Sequence, residues 1–145
     1  MQESGNNRIR VCAIIPAYDE AKTIAELVQE TKKYVDTVFV VDDGSTDNTA
    51  QVAQQNGAQV IRHRVNRGIG AAQQSGYDAA INNEFDYIVQ LDSDGQHNPK
   101  HILEMLEVAK ECDMVIASRF LNKSCRGYPF FRRLGISFFT LVANG

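Results

Sequence analysis

The chain has 145 residues, which is the size of one domain with a substantial core. Its composition, 43% hydrophobic and 23% charged, is that of an ordinary globular protein, and its net charge of -3 argues against a general nucleic-acid binder. Three widely spaced cysteines, Cys12, Cys112 and Cys125, form no CxxC pair. They indicate neither a zinc site nor a disulfide framework, which fits a reducing compartment.

Strand-like and helix-like segments alternate along the chain. Strands are predicted over residues 9–15, 38–41, 59–62, 86–91 and 114–117. Helices are predicted over residues 21–34, 68–82 and 99–111. A further helix is predicted to follow a cap at residues 45–47 and to end at about residue 56. Alternation with short connections predicts an α/β fold, a Rossmann-like and mostly parallel sheet with helices on both faces.

The N-terminal residues 1–8 are polar, without the apolar core of a signal peptide, and we expect them to be disordered. No stretch reaches 18 consecutive apolar residues, so the sequence predicts no membrane-spanning helix.

Two carboxylates one residue apart, in Asp92-Ser93-Asp94, directly follow the predicted strand at 86–91. Residues two apart on a strand point to the same side, so both carboxylates can converge at the strand end. Converging carboxylates repel unless a cation lies between them, and oxygen-only ligands suit Mg²⁺ or Mn²⁺ bound to a substrate diphosphate. The alternative is two solvated loop acids, or a cap for the helix that begins at Pro99.

The other strand ends also carry polar residues, and parallel sheets bind ligands at this edge. Acidic and aromatic side chains in residues 16–20 and 42–45 can read a base and ribose hydroxyls. Gly68 and Gly70 follow the third strand, where they let the backbone approach a ligand closely or, alternatively, only start a tightly packed helix. An ordinary dinucleotide-binding fold would need G-x-G-x-x-G after the first strand, and residues 16–20 lack it.

Five segments together resemble a known family. They are residues 14–20, 40–47, 66–72, 91–97 and 117–120. In this order they resemble inverting family 2 glycosyltransferases with the GT-A fold, and the chain is most similar to the dolichyl- and polyprenyl-phosphate sugar transferases. Each segment is weak evidence alone, but five in family order are highly specific.

The resemblance implies a nucleoside pocket at the first two strand ends. Pro16, Tyr18 and Glu20 would line it, and Asp43 would contact the base or ribose. Gly68 and Gly70 would belong to the same donor site. Tyr18 could instead be plain core packing. The chain also departs from many members of the family, which carry Asn at the position of Asp19.

The resemblance also implies a metal and diphosphate site. Asp92 and Asp94 would hold the divalent metal, with Gln96 as a further oxygen ligand unless it is only a turn residue. Arg119 would face phosphate charge, so that Asp94 and Arg119 are the residues expected to act in catalysis. His97 lies beside this set, but the family pattern does not require it.

The implied reaction is transfer of a hexose, with inversion, from a nucleoside-diphosphate sugar to a polyprenyl or dolichyl phosphate. A lipid phosphate is already ionised near neutral pH and needs no general base, and no base is assignable before Gly145. In the family an acceptor-side segment follows, so the fold is expected to be C-terminally incomplete and the chain alone to be inactive if it is a truncated form.

The predicted organisation is a nucleotide-sugar-binding domain over residues 9–120 and a helical tail over 121–145. Arginines in the tail flank aromatic and aliphatic residues, a pattern that suits an anionic membrane surface. A buried helix lacking its cover, or a homo-oligomer contact, is the alternative. We therefore expect a cytoplasmic protein in peripheral contact with the cytoplasmic face of a membrane, with no nucleic-acid partner.

Two other function classes remain open. A metal-dependent nucleotidyltransferase also uses paired acids, but it usually carries a Gly-rich, basic phosphate loop after the first strand, which residues 16–20 do not provide. The sequence does not exclude a non-catalytic domain that binds nucleotide-sugar with metal but shows no transfer or hydrolysis.

Overall fold

The computed structural model describes residues 8–95 and 98–117. Strands and helices alternate along this part of the chain, as the sequence predicts. The strands are β1 (Val11–Ala17), β2 (Thr37–Asp42), β3 (Gln59–Arg62) and β4 (Tyr87–Gln90). The helices are α1 (Ile24–Thr31), α2 (Thr49–Gln55), α3 (Ile69–Asn82) and, after a 3-10 turn at Pro99–His101, α4 (Ile102–Val108).

The four strands form one parallel sheet in the order β3-β2-β1-β4. The chain moves outward from β1 to β3 and then crosses back to place β4 on the other side of β1. The strand order therefore reverses between β1 and β4, and such a reversal opens a crevice at the carboxyl ends of the strands. The predicted parallel α/β architecture is confirmed.

Helices cover both faces of the sheet, which is why β1 and most of β2 are buried throughout. On one face, side chains of α1, α2 and α4 pack on alternate strand residues such as Ala13, Ile15 and Val40. On the other face, α3 packs on Cys12, Ile14 and Phe39.

Strand β1 extends beyond its pairing with β4, and this opens the crevice. Pairing with β4 ends at Ile14, while pairing with β2 continues to Ala17. The carbonyl oxygen of Ile14 accepts a hydrogen bond from Leu91 on the β4 side. The backbone polar groups of successive strand residues point alternately to the two neighbouring strands, so those of Pro16, two residues later, also point to the β4 side. Proline has no N–H to leave unpaired, which suits this position beyond the last paired residue.

One predicted strand is wrong. Residues 114–117 form no strand in the structure, and Met114 and Ile116 are 76% and 73% exposed. Their apolar, β-branched pattern is suitable for a strand, but strand formation depends on a pairing neighbour and a covered face, and neither occurs among the described residues. The other predicted elements are present. Helix α3 begins one residue later than predicted, while α1 and α4 are shorter than predicted by several residues and α2 is slightly shorter.

The predictions for residues 1–7, for Gln96 and for 118–145, including Arg119 and the helical tail, lie outside the described residues. Within the described ranges, no helix has the length and apolar character needed to cross a membrane.

Candidate functional site

A cavity of about 200 Å³ lies at the carboxyl edge of the sheet. Residues from four loops contribute to its wall, which brings together the ends of β1, β2 and β4 and the start of α3. Its lining residues are Pro16, Ala17, Tyr18, Glu20, Asp43, Asn66, Gly68, Ile69, Ala72 and Ser93. Five of the predicted site residues therefore share one cavity, while Ser93 brings the Asp92-Ser93-Asp94 turn to its wall.

Tyr18 is 45% exposed at this cavity, so it is not a core-packing residue. Beside it, the Thr23 hydroxyl donates to Glu20 Oε2 at 2.8 Å and lies 3.4 Å from the carbonyl oxygen of Ser93. The loop after β1 thus contacts the loop after β4 across the gap between the two strands.

The loop after β1 is also fixed to the loop after β2 by hydrogen bonds. Asp19 has a left-handed backbone with φ of +55°, which Asp and Asn tolerate better than most residues. Its Oδ1 accepts from the Thr46 amide at 2.7 Å, and its own amide donates to Ser45 Oγ at 3.0 Å. The Glu20 amide donates to Thr49 Oγ1 at 2.8 Å. This geometry explains why Asp at position 19 can replace the family's usual Asn.

Asp47 completes this connection and starts α2. Its Oδ1 accepts from the Thr49 amide at 2.9 Å, and its Oδ2 accepts from the Ala21 amide at 3.1 Å. The hydrogen bond from the Thr49 hydroxyl and those from the two amides lower the pKa of Asp47. The cap was predicted at 45–47, but the cap position of α2 is Asn48, one residue further on, and Asp47 contributes only the hydrogen bond to the first amide of the helix.

Asp42 is fully buried at the end of β2. Its Oδ1 accepts from the Ser45 amide at 2.9 Å, and its Oδ2 forms an ion pair with Arg62 Nε at 3.0 Å, without a well-aligned hydrogen bond. Arg62 also donates through Nη2 to the Ser45 carbonyl oxygen at 3.0 Å. A buried carboxylate needs such partners, so the role of Asp42 is to fix the ends of β2 and β3.

Asp43 is 4% exposed and holds the loop after β3. Its Oδ1 accepts from His63 Nδ1 at 2.6 Å and from the Arg67 amide at 2.9 Å, and its Oδ2 accepts from the Gly68 amide at 2.7 Å. Burial raises the pKa of Asp43, but the hydrogen bonds from Arg67, His63 and Gly68 outweigh it and hold the pKa below its usual value. A carboxylate has about four acceptor positions, so one remains on Oδ2.

Two glycines in these loops are required by the backbone. Gly44 has φ of +75°, and a Cβ there would lie 2.6 Å from the Val65 carbonyl carbon and 2.7 Å from the Asn66 nitrogen. Gly68 has φ of +90° and precedes α3. A Cβ on Gly68 or Gly70 would meet nothing within 4 Å, so neither glycine is there for tight packing. Both leave open space at the N-terminal end of α3.

The loop after β4 carries its carboxylates nearer the surface. Asp92 is half-buried and Asp94 is exposed, and the turn continues through Gly95 with φ of +70°. Neither acid caps the following helical turn, because Asn98 does so by accepting from the Lys100 amide at 3.1 Å. No group of three or more His, Cys, Asp or Glu side chains suited to a metal ion occurs in residues 8–95 and 98–117. Asp92 and Asp94 therefore offer an incomplete ligand set.

A second, larger cavity of about 350 Å³ lies beside β2 and β3 and is lined by Gly44, Ser45, Arg62, His63 and Arg64. Arg62 is already paired with Asp42 there, and the cavity includes neither β1 nor β4. We therefore place the candidate site in the smaller cavity, where the strand order reverses. The sequence analysis missed His63, although its position directly after β3 places it at the ligand-binding edge.

The family is decided by a match over most of the chain. The model of "Glycosyl transferase family 2" matches residues 12–141. The chain belongs to this family. The match contains the whole of β2, β3 and β4, all of β1 except Val11, and every residue of the candidate site, which agrees with the five segments recognised in the sequence.

Curated relatives include two lipid-linked sugar transferases. The UDP-N-acetylglucosamine–dolichyl-phosphate N-acetylglucosaminyltransferase of Methanococcus voltae is 31% identical over 91% of this chain and 62% of that protein. The undecaprenyl-phosphate mannosyltransferase of Micrococcus luteus is 31% identical over 77% of this chain and 49% of that protein. This family 2 chain spans about half to three-fifths of the length of these relatives.

Solved structures confirm the GT-A fold. Glucosyl-3-phosphoglycerate synthase of Mycobacterium tuberculosis, in complex with Mn²⁺, UDP and glucosyl-3-phosphoglycerate, aligns with a TM-score of 0.58 and 25% identity. The alignment covers 69% of this chain and 39% of the synthase. The same synthase has also been solved with Mg²⁺ and UDP.

Proposed function

We propose that this chain carries the donor site of an inverting glycosyltransferase that moves a sugar from a nucleoside-diphosphate sugar to a polyprenyl or dolichyl phosphate. The observation that carries the proposal is the cavity where the ends of β1 and β2 meet the start of α3 and the Asp92-Ser93-Asp94 turn. Membership of family 2 supports the reaction class.

The nucleoside half of the donor binds at the ends of β1 and β2. The exposed ring of Tyr18 offers a flat apolar surface against which a base can stack. Glu20 and the remaining acceptor position on Asp43 Oδ2 accept hydrogen bonds from base N–H groups or ribose hydroxyls. Pro16 closes the floor of this pocket.

The diphosphate half lies between the start of α3 and the β4 turn. The N-terminus of a helix carries unpaired amides and a partial positive charge, which favour phosphate oxygens. Gly68 and Gly70 present no side chain there, so the donor can approach this backbone closely. Ser93, between the two acids of the β4 turn, lines the same cavity.

Asp92 and Asp94 fit a divalent cation that is shared with the donor diphosphate. Mg²⁺ and Mn²⁺ bind through one or two carboxylates plus substrate phosphates and water, and oxygen is the only donor atom that the two acids provide. Gln96 would add a further oxygen. When bound there, a cation would supply charge compensation for a departing diphosphate. The Mn²⁺ and Mg²⁺ found with UDP in the mycobacterial synthase support this proposal.

In the transfer step, an acceptor oxygen attacks the anomeric carbon from the side opposite the diphosphate, which inverts the configuration. Arg119 offsets the negative charge that develops on the leaving diphosphate. A lipid phosphate is already ionised near neutral pH, so the chain need not supply a general base to activate it. Tyr18, Glu20 and Asp43 orient the donor and keep its position fixed during the attack.

The lipid acceptor is supported by the curated relatives, whose names specify dolichyl and undecaprenyl phosphate. Basic and apolar residues in 121–145 suit contact with an anionic membrane surface, and this pattern supports our proposal that the protein acts at the cytoplasmic face of a membrane. Because the chain spans only part of these relatives, a nucleotide-sugar-binding domain without transfer activity is the second candidate. It would bind the same donor but release no sugar.

A thermal-shift screen tests the donor site. The chain is melted with UDP, GDP and CDP, each with and without Mn²⁺, since a ligand that binds only the native state raises the melting temperature. We expect at least one nucleotide to raise it by several degrees in a Mn²⁺-dependent manner, and Asp94→Asn to remove that dependence. Asp78→Asn, on the exposed surface of α3, is the matched control and should retain the full shift. An unchanged shift in Asp94→Asn would refute the metal role.

A further inference from the structure

Three side chains from three elements form a continuous hydrogen-bonded chain beneath the donor pocket. Asp43 follows β2, His63 follows β3, and Ser75 lies in the middle of α3. His63 Nδ1 is 2.6 Å from Asp43 Oδ1, and His63 Nε2 is 2.9 Å from Ser75 Oγ. The side chains of His63 and Asp43 are 7% and 5% exposed. Both ring nitrogens therefore have a protein partner away from bulk water.

The backbone of His63 is fixed as well. Its amide donates to the Asp42 carbonyl oxygen at 2.9 Å, which continues the ladder between β2 and β3. The backbone of His63 is thus held by β2, while its ring bonds to Asp43 in the loop after β2 and to Ser75 in α3. An ionised carboxylate only accepts, so His63 Nδ1 carries the proton that is shared with Asp43.

This arrangement determines the orientation of Asp43. The terminal torsion of an aspartate side chain is broad and does not by itself select one orientation. The His63 ring fixes Oδ1, and this leaves Oδ2 to hold the Gly68 amide and to present its remaining acceptor position at the pocket wall. Without the ring, Oδ1 would keep only the Arg67 amide among these partners.

We infer that His63 is a positioning residue for the donor pocket, which fixes the Asp43 carboxylate and thereby the Arg67-Gly68 segment. The part of the inference that concerns nucleotide affinity rests on the proposed function. A purely structural role for His63 predicts a different result: loss of stability spread over the domain, with unchanged affinity in the fraction that remains folded.

Two conservative variants separate these roles. In His63→Asn, the side-chain amide nitrogen is attached to Cγ, as Nδ1 is in histidine, so it can still donate to Asp43. In His63→Gln, the amide nitrogen lies one bond further out, nearer the position of Nε2, so it can reach Ser75 and not Asp43. His63→Ala removes both contacts. The Asn and Gln variants are therefore matched in chemistry and differ in which partner they keep.

The first readout is the affinity for UDP, GDP and CDP in the presence of Mn²⁺, measured by calorimetry well below the melting temperature of each variant. For the nucleotide that binds wild type best, we expect about tenfold weaker binding in His63→Ala and His63→Gln and recovery of most of the loss in His63→Asn. Equal affinities in wild type and all three variants, or equal losses in His63→Ala and His63→Asn, would overturn the inference.

The second readout needs no nucleotide. Amide hydrogen exchange at Arg67 and Gly68 is compared with exchange at Val38 and Val40 in the core. We expect selectively faster exchange at Arg67 and Gly68 in His63→Ala, and a return toward the wild-type rate in His63→Asn. If wild type binds none of the three nucleotides, the proposed function fails, and this comparison alone decides the role of His63. Uniformly faster exchange at all four amides would contradict positioning.

Discussion

The two sides of the candidate site are built differently. On the side of β1, β2 and β3, buried or backbone-bonded carboxylates connect one loop to the next: Asp42 pairs with Arg62, and Asp43 accepts from two amides and a histidine. On the side of β4, Asp92 is half-buried and Asp94 is exposed. Acidic residues at the same edge of the sheet therefore differ in how far they are buried.

The difference in burial separates carboxylates that maintain loop geometry from carboxylates that are accessible to solvent. Carboxylates whose oxygens accept several hydrogen bonds stabilise loop geometry before any ligand arrives. Two negative charges one residue apart near the surface repel each other, and a cation would relieve that repulsion. We propose that the β1–β3 side is preformed for the nucleoside and that the β4 side is completed by metal and diphosphate.

The largest expected effect is on the preformed side, at Gly44. Gly44→Ala forces a Cβ to within 2.6 Å of the Val65 backbone at a φ of +75°. Strain and overpacking together should lower the free energy of unfolding by roughly 2–4 kcal/mol, measured by urea titration.

Gly70→Ala is the matched control for Gly44→Ala. A Cβ at Gly70 meets nothing within 4 Å, and Gly70 lies inside α3, where alanine should be neutral or stabilise by about 0.5–1 kcal/mol. Equal destabilisation by the two substitutions would contradict the account of the close approach at Gly44.

A smaller effect is expected at Asp43. Asp43→Asn places an amide group among three donors, so one donor loses its acceptor at a cost of about 1–3 kcal/mol.

The stability that Asp43 contributes should depend on pH. The pKa of Asp43 is lowered by folding, so its charged form stabilises the protein above the unfolded-state pKa of about 3.9. This contribution disappears as the pH falls through the folded-state pKa. The stability of wild type should therefore decrease more on acidification than that of Asp43→Asn, as followed by urea titration between neutral and acid pH. Parallel pH profiles would show that Asp43 is not the group responsible.

The smallest effect distinguishes two substitutions at Asp19. Asp19→Asn keeps an acceptor for Thr46 and a residue type that tolerates a φ of +55°, so it should be nearly neutral. Asp19→Ala loses both and should cost about 1–2 kcal/mol in the same titration. If alanine were as stable as asparagine, the hydrogen bond from the Thr46 amide to the side chain of residue 19 would not contribute to stability.

The sequence predicted much of the fold because its signals are local. Strand β3 is found at Gln59–Arg62 as predicted, and the cap position of α2, Asn48, is one residue beyond the predicted stretch. The contacts among loops were not predictable, because Asp43 meets Arg67 and Gly68 only after β2 and β3 have paired. The strand predicted at residues 114–117 was wrong for the same reason, because strand formation also depends on neighbouring strands that a local pattern does not specify.

For the candidate site, the sequence predicted which residues lie together but not how far each acid is buried. The rule that ligands bind at the carboxyl ends of strands correctly grouped Pro16, Tyr18, Glu20, Asp43 and Gly68 at one cavity. It did not distinguish the exposed Asp94 from the buried Asp42 and Asp43, because burial is a property of the folded chain. His63 was missed because a single histidine after a strand carries no motif.

One experiment compares the two sides directly: urea titration of wild type, Asp43→Asn and Asp94→Asn, each alone and with Mn²⁺ plus the nucleotide diphosphate that stabilises wild type most. We predict that Asp43→Asn lowers the free energy of unfolding without ligand. Asp94→Asn should change that value by no more than about 0.5 kcal/mol, since Asp94 is exposed, yet lose the stabilisation that Mn²⁺ and nucleotide provide together. If Asp94→Asn destabilises the ligand-free chain as much as Asp43→Asn and keeps the ligand-dependent stabilisation, the division between a preformed side and a metal-completed side is wrong.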